Sequence, residues 1–194
     1  MFEVFAAYLK EKANLNDDEL AKVRAVTVDK RLRKRQYLLQ EGDVCHYHCF
    51  VAKGCLRLYR LSEDGIEHIL KFAVETWWLS DGESLNNDLP SKNDIDALED
   101  SELLLIEKAD FNKLVEEIPN FRTFRDNLKA RSYDASQRRI MTQISNNAEE
   151  KYADFVGTYP NIFNRVPLHM VASYLGVSRE TLSRIRNHFA KAHL

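Results

Sequence analysis

The sequence predicts an α+β protein, with short strands forming a β-sandwich or barrel, helices on either side of them, and a helix-turn-helix at the C-terminal end. Three patterns carry this reading. Turn signals recur between about residues 31 and 107, at Glu41-Gly42-Asp43, Lys53-Gly54, Glu63-Asp64-Gly65 and Asp81-Gly82. Apolar residues return to helical spacing from about residue 108. The stretch from Val166 to Arg186 sets two short amphipathic segments around a glycine.

Each element follows in turn. Residues from about 2 to 30 read as helical, with Asn16 or Asp17 as an N-cap ahead of the acids Asp18 and Glu19, and Leu20, Val23, Ala25 and Val26 as apolar positions. Strands are expected from Val44 to Val51, Cys55 to Leu61, Ile66 to Val74 and Leu103 to Ile106. Leu56-Arg57-Leu58-Tyr59-Arg60-Leu61 alternates with period two, as a half-buried strand does. Phe111, Leu114, Val115 and Ile118 make a short helical face that Pro119 ends. Phe121, Phe124 and Leu128 open a longer helix, expected to run to about Ser145. Arg131, Gln137 and Arg138 interrupt its stripe, so pattern alone leaves a solvent-facing helix and a dimer-forming helix equally open. Asn147-Ala148-Glu149-Glu150 has the form of a capping box, and Tyr152, Phe155, Val156 and Tyr159 supply the buried side of the helix it opens.

Composition sets the outer bounds. The chain has 194 residues, 44% hydrophobic and 30% charged, enough for one large domain or a medium and a small one. No apolar run approaches the ~20 residues needed to cross a bilayer. The first residues carry no basic segment ahead of a long apolar core, so a cytoplasmic location is expected and no membrane partner. Cys45, Cys49 and Cys55 are an odd number of thiols, which argues against a disulfide framework. Cys45-His46-Tyr47-His48-Cys49 invites a metal reading, but in a strand the cysteines share one face and the histidines the other, so no metal is expected. The basic run from Asp29 to Arg35 reads as a solvated strand edge, and at least one of Trp77 and Trp78 as core. No catalytic motif occurs, so no enzyme is expected.

Charge is unevenly spread. Residues 1–120 carry 16 Lys and Arg against 24 Asp and Glu, whereas residues 121–194 carry 12 against 6. Only the back of the chain is suited to a polyanion.

That back contains the most specific signal. Leu168, Val171, Ala172 and Leu175 fall on one helix face after Pro167, and Gly176 supplies a left-handed stop. Ser178 caps a second helix, whose buried face is Leu182, Ile185 and Phe189. Glu180, Ser183, Arg184, Asn187 and Lys191 lie on the opposite face, with Arg179 at the flank. Arginine donates two bonds to guanine and glutamate accepts from cytosine, while Ser, Thr and Lys hold phosphates. Double-stranded DNA is the expected partner, and the expected contacts are His169, Ser178, Arg179, Glu180, Thr181, Ser183, Arg184, Asn187 and Lys191. The alternative is a small-molecule-binding or protein-interaction module whose last helices dock a protein.

Ser178-Arg179-Glu180-Thr181-Leu182-Ser183-Arg184 resembles the recognition helix of the Crp/Fnr transcription regulators, and the resemblance extends along the chain. It implies an N-terminal β-roll (jelly roll) of the cyclic-nucleotide-binding type over residues 1–118, a dimerisation helix over 119–145, and a helix-turn-helix domain over 146–194. It also implies base reading by Arg179, Glu180 and Arg184, a homodimer on a two-fold operator, and contact with RNA polymerase or a small-molecule effector.

Two departures from the family stand out. The sequence stops at Leu194, leaving no residues for the β-hairpin wing that commonly follows, so a full wing is not expected. The family's cassette has Gly-Glu for a ribose and Arg-Ser or Arg-Thr for a phosphate. Here Ser80-Asp81 replaces Gly-Glu, and no arginine lies between Arg60 and Arg122. The pocket residues would be Asp81, Glu83, Ser91 and Lys92, with Lys92 the only cation nearby in sequence. A buried phosphate needs a charge-assisted partner, so cAMP is not expected as the effector and no cofactor is expected.

Overall fold

The computed structural model describes residues 1–160 and 162–192, with residues 190–192 described by backbone only. The N-terminal segment forms two helices, α1 (Phe2–Ala13) and α2 (Asp17–Ala25), rather than one helical stretch to residue 30. Asn14 closes α1 in the left-handed region, at φ 52°. Asn16 and Glu19 then form the capping box of α2. The β-branched pair Thr27-Val28 starts β1 (Thr27–Leu32), and the Thr27 hydroxyl donates to the Val23 carbonyl at 2.6 Å as α2 ends.

The strands that follow are β2 (Tyr37–Leu39), β3 (Tyr47–Lys53), β4 (Leu56–Leu61), β5 (Glu67–Ala73) and β6 (Trp78–Leu79). After the short helix α3 (Gly82–Asn87) come β7 (Asp94–Ala97) and β8 (Ser101–Glu107). They pair antiparallel in two four-stranded sheets, β1-β8-β3-β6 and β2-β7-β4-β5. This double sheet is the expected β-roll. Gly54, between β3 and β4, has φ 108°, and a Cβ there would meet the Ser101 hydroxyl at 2.2 Å. β1 is an outer strand, and its Lys30 and Arg31 are exposed, as charges on a protected edge are.

Helical structure resumes at α4 (Lys108–Glu117) and α5 (Pro119–Ser145). The last elements are α6 (Ala148–Thr158), a 3₁₀ turn (Ile162–Asn164), α7 (Leu168–Leu175) and α8 (Arg179–Ala192). Asn147 caps α6 in the expected box with Glu150.

Three apolar layers result. Val51, Leu56, Leu79, Ile95 and Leu103 fill the space between the sheets. Phe5, Phe50, Phe111, Phe121 and Phe124 join the first sheet to α1, α4 and the start of α5. Trp78 packs partly buried against that layer. The third layer crosses from the second sheet into the C-terminal helices, through Ile69, Phe72, Phe155, Tyr159, Val171 and Leu182.

His48 on β3 stacks on Phe111 with ring centroids 3.8 Å apart. Burial, helped by Lys129 and Lys108, lowers its pKa to about 4. The unfolded chain, with an ordinary His pKa near ~6.5, takes up this proton first as pH falls. His48 therefore contributes no penalty above about pH 6.5, and stability drops progressively from there to about pH 4, by roughly 3 kcal/mol at most. Urea unfolding across that range should show a weaker acid loss for His48→Phe than for wild type. Equal slopes would remove His48 as the cause.

Candidate nucleic-acid interface

The helix-turn-helix is built by local chemistry. α7 ends at Gly176, in the left-handed region at φ 67°. The Gly176 amide donates to the Ser173 carbonyl at 3.2 Å and the Val177 amide to the Ala172 carbonyl at 3.1 Å, the paired bonds of a Schellman turn. The Ser178 hydroxyl accepts the Thr181 amide at 3.1 Å and so caps α8. Val171, Ala172, Leu175, Leu182 and Ile185 are buried where the helices cross, and Leu168 is half-buried. The Phe189 ring lies 5.0 Å from that of Tyr152 on α6. Pro167 stands immediately before α7, at its N-cap position.

The outer side of α8 presents Arg179, Glu180, Arg184 and Asn187 together as exposed side chains, with Ser183 half-buried beside them. His169 is exposed in the first turn of α7. Ser178 and Thr181 are placed differently from the other expected contacts. Their hydroxyls meet each other at 3.0 Å within the cap, and Thr181 receives Arg184 Nη2 at 3.4 Å. The side chain of Lys191 lies outside the described residues. Two residues of α8 went unread in the sequence. His188 lines a groove of about 570 Å³ with Thr181, Arg184 and the Asn147-Ala148-Glu149 start of α6. Arg186 is exposed, and its guanidinium lies 5.7 Å from the centroid of the Phe163 ring. Helical spacing from Thr181 and Arg179, respectively, would have placed both at the flanks of the reading face.

The candidate sensor pocket is turned inward. Asp81 caps α3, accepting the amides of Glu83 at 3.1 Å and Ser84 at 3.3 Å. Its other oxygen accepts Ser91 Oγ at 2.6 Å and Asn93 Nδ2 at 2.8 Å. Burial acts to raise its pKa, but these bonds outweigh it and hold the carboxyl below its ordinary value. Glu83 and Lys92 pair with each other at 2.9 Å on the surface. Lys92 is not the only cation near this cluster: Arg60 reaches across from β4 and donates Nε to Asn93 Oδ1 at 3.0 Å. Sequence spacing hid this, because Arg60 and Asn93 are 33 residues apart.

Cys45 precedes β3 rather than lying in it, and packs with Cys49 in the layer between the sheets. Cys55 sits in the third layer, under the C-terminal helices. His46 is exposed, while His48 faces Phe111. The cysteines and histidines are thus distributed over separate surroundings.

Residues 29–118 match the model of the cyclic nucleotide-binding domain family. The chain is 26% identical over 192 residues to the fumarate and nitrate reduction regulatory protein of Yersinia pestis, covering 93% of this chain and 76% of that one. It is 28% identical over 160 residues to the nitrogen fixation regulation protein FixK of Bradyrhizobium diazoefficiens, covering 76% and 65%. In fold it is similar to FixK2 from Bradyrhizobium japonicum, with a TM-score of 0.75 at 18% identity over 87% of this chain and 86% of that one. It is also similar to a transcriptional regulator of the Crp/Fnr family from Eubacterium rectale, with a TM-score of 0.70 at 18% identity over 96% and 88%. With a nucleotide-binding-type roll over residues 29–118, regulators as relatives along most of its length, and a C-terminal helix-turn-helix, the chain is similar throughout to transcription regulators of the Crp/Fnr type.

Proposed function

We propose that this chain is a Crp/Fnr-type transcription regulator, a cytoplasmic, non-catalytic homodimer that reads DNA sequence with α8. The observation that carries the reading is one exposed face holding Arg179, Glu180, Arg184 and Asn187, set beyond a Schellman turn and a serine cap. Arg179 and Arg184 are suited to guanine, and Glu180 to the amino group of cytosine. His169 and Ser183, with Lys191 by sequence, are suited to phosphates or base edges. Residues 1–118 serve as sensor, 119–145 as dimerisation helix and 146–194 as DNA-binding part. A small-molecule effector or RNA polymerase is the natural second partner of the roll.

Selection of bound sequences from random duplexes, at two salt concentrations, tests this. Sequence preference with a steep salt slope is expected, and flat binding without preference would favour a protein-docking role instead. Glu180→Ala should relax discrimination at one base position by about 1–3 kcal/mol while leaving the salt slope unchanged. An unchanged preference would remove Glu180 from base reading.

We further propose that cAMP is not the effector. The buried, ionised Asp81 accepts the Glu83 and Ser84 amides and the Ser91 hydroxyl, donors that an anionic phosphate bound there would need. Two anions there would repel at short range in a site of low dielectric. Calorimetry should detect no cAMP binding in the micromolar range or tighter, and binding of that strength refutes the proposal.

A further inference from the structure

β5 is an outer strand, so one row of its backbone groups has no strand partner. The C-terminal half of the molecule takes up part of that row. Ser173 on α7 accepts the Ile69 amide at 3.1 Å and donates to the Glu67 carbonyl at 2.6 Å. Arg139 on α5 donates to the carbonyls of Leu70 and Ile69, the latter at 3.0 Å. The same guanidinium donates to the Tyr174 carbonyl at 3.3 Å and lies 3.9 Å from the centroid of the Tyr174 ring. Gln143, one turn further along α5, donates to the same Tyr174 carbonyl at 3.4 Å.

Tyr174 stands in the last turn of α7, where the helix dipole and the unpaired carbonyls favour a cation. Arginine has five donors in a rigid planar fork and a flat face that stacks on an aromatic ring. Three carbonyls on two elements, together with that ring, match this geometry. Lysine, with a point charge on a flexible stem, matches it only in part.

We propose that Arg139 is a positioning residue for DNA recognition. It fixes α7, and through the Gly176 turn α8, at one place relative to both α5 and the edge of β5. This rests on the dimeric, DNA-reading function proposed above. If α5 pairs with its copy, the place of α7 along α5 sets the distance between the two recognition helices. Arg139 is then also where a shift of β5 within the sensor becomes a change in that distance.

The test compares wild type with Arg139→Ala and Arg139→Lys in two measurements. The first is hydrogen exchange without DNA. Amides of residues 168–175 should exchange about tenfold faster in Arg139→Ala, with those of β8 unchanged and Arg139→Lys between. The second is affinity for a single half-site and for two-half-site duplexes whose spacer is lengthened or shortened by one base pair. Arg139→Ala should hold the half-site as wild type does, lose about tenfold on the best full site, and discriminate less among spacers, with partial recovery in Arg139→Lys. Unchanged exchange in α7 overturns the proposal. So does an unchanged spacer profile, or an equal loss on half and full sites. A wild-type chain that binds no duplex would instead overturn the DNA-reading function, while hydrogen exchange still decides whether Arg139 holds α7. Should Arg139→Ala fail to fold, Arg139→Lys carries both measurements.

Discussion

Phe72→Ala is expected to cost about 3–5 kcal/mol of unfolding free energy, the usual range for deleting a fully buried aromatic ring. Phe72 is completely buried on β5. Its ring centroid lies 5.6 Å from that of Tyr174, 6.0 Å from Tyr159 and 6.2 Å from Phe155. Two elements of the C-terminal half, α6 with its C-cap residue and α7, therefore converge on one side chain of the second sheet. The Tyr159 hydroxyl also donates to the Phe72 carbonyl at 3.4 Å, and Arg165 bridges Glu75 and Glu99 beside it. Truncation removes the apolar centre of this junction and leaves the more polar rim. Denaturant unfolding followed by Trp77 and Trp78 fluorescence and by far-ultraviolet circular dichroism should give coincident transitions in wild type and separated ones in the variant. A loss below about 1 kcal/mol would show that the two halves are held by the rim instead.

Replacing Ile140 and Ile144 together by Glu is expected to give monomers, and to weaken binding to a two-half-site operator by roughly 10²–10⁴-fold with little effect on a single half-site. α5 runs 27 residues, yet only Phe121 and Phe124, near its start, are fully buried. Further along, Tyr133, Ile140 and Ile144 are 65%, 51% and 76% exposed. At ~100° per residue these three fall within about 40° of one another. Met141, 58% exposed, stands beside them. A solvated helix has no reason to carry such a stripe, whereas a helix that pairs with its copy requires one. Two carboxylates per chain placed in that seam would face two more across it. Sedimentation should show the change of mass directly, and a variant that stays dimeric would place the interface elsewhere.

The features legible in the sequence were those settled by local chemistry. Asn16, Asn147, Gly176 and Ser178 each do what their residue type does best at a helix end, and each stands where its neighbours indicated. Pro119 was read as the end of the α4 face, and the structure places it as the first residue of α5, a position that suits its fixed backbone. The strands β2, β6 and β7 were not legible, having three, two and four residues, too few for alternation to show. The cap at Asn16 was legible, but not the left-handed Asn14 that ends α1 before it, because nothing in its residue type demands that conformation. Long-range placement escaped as well. Arg60 beside Asn93, and Arg139 against β5 and Tyr174, join residues 33, 70 and 35 positions apart, and nothing in the local pattern of an arginine marks its distant partner. Within α8, residue type alone did not separate the hydroxyls of Ser178 and Thr181, engaged in a cap, from side chains open to a ligand.

The placement of the three thiols has a practical consequence. Cys45, Cys49 and Cys55 are all buried, and burial raises each thiol, that of Cys55 to about 12. Almost no thiolate forms at neutral pH, so alkylating and nitroxide reagents should react with the native chain only slowly. A single cysteine introduced at exposed Glu63, in the turn between β4 and β5, would then be labelled nearly alone. The chain offers a clean background for attaching one spin or fluorescent probe per subunit, without first removing any of its own sulfur atoms.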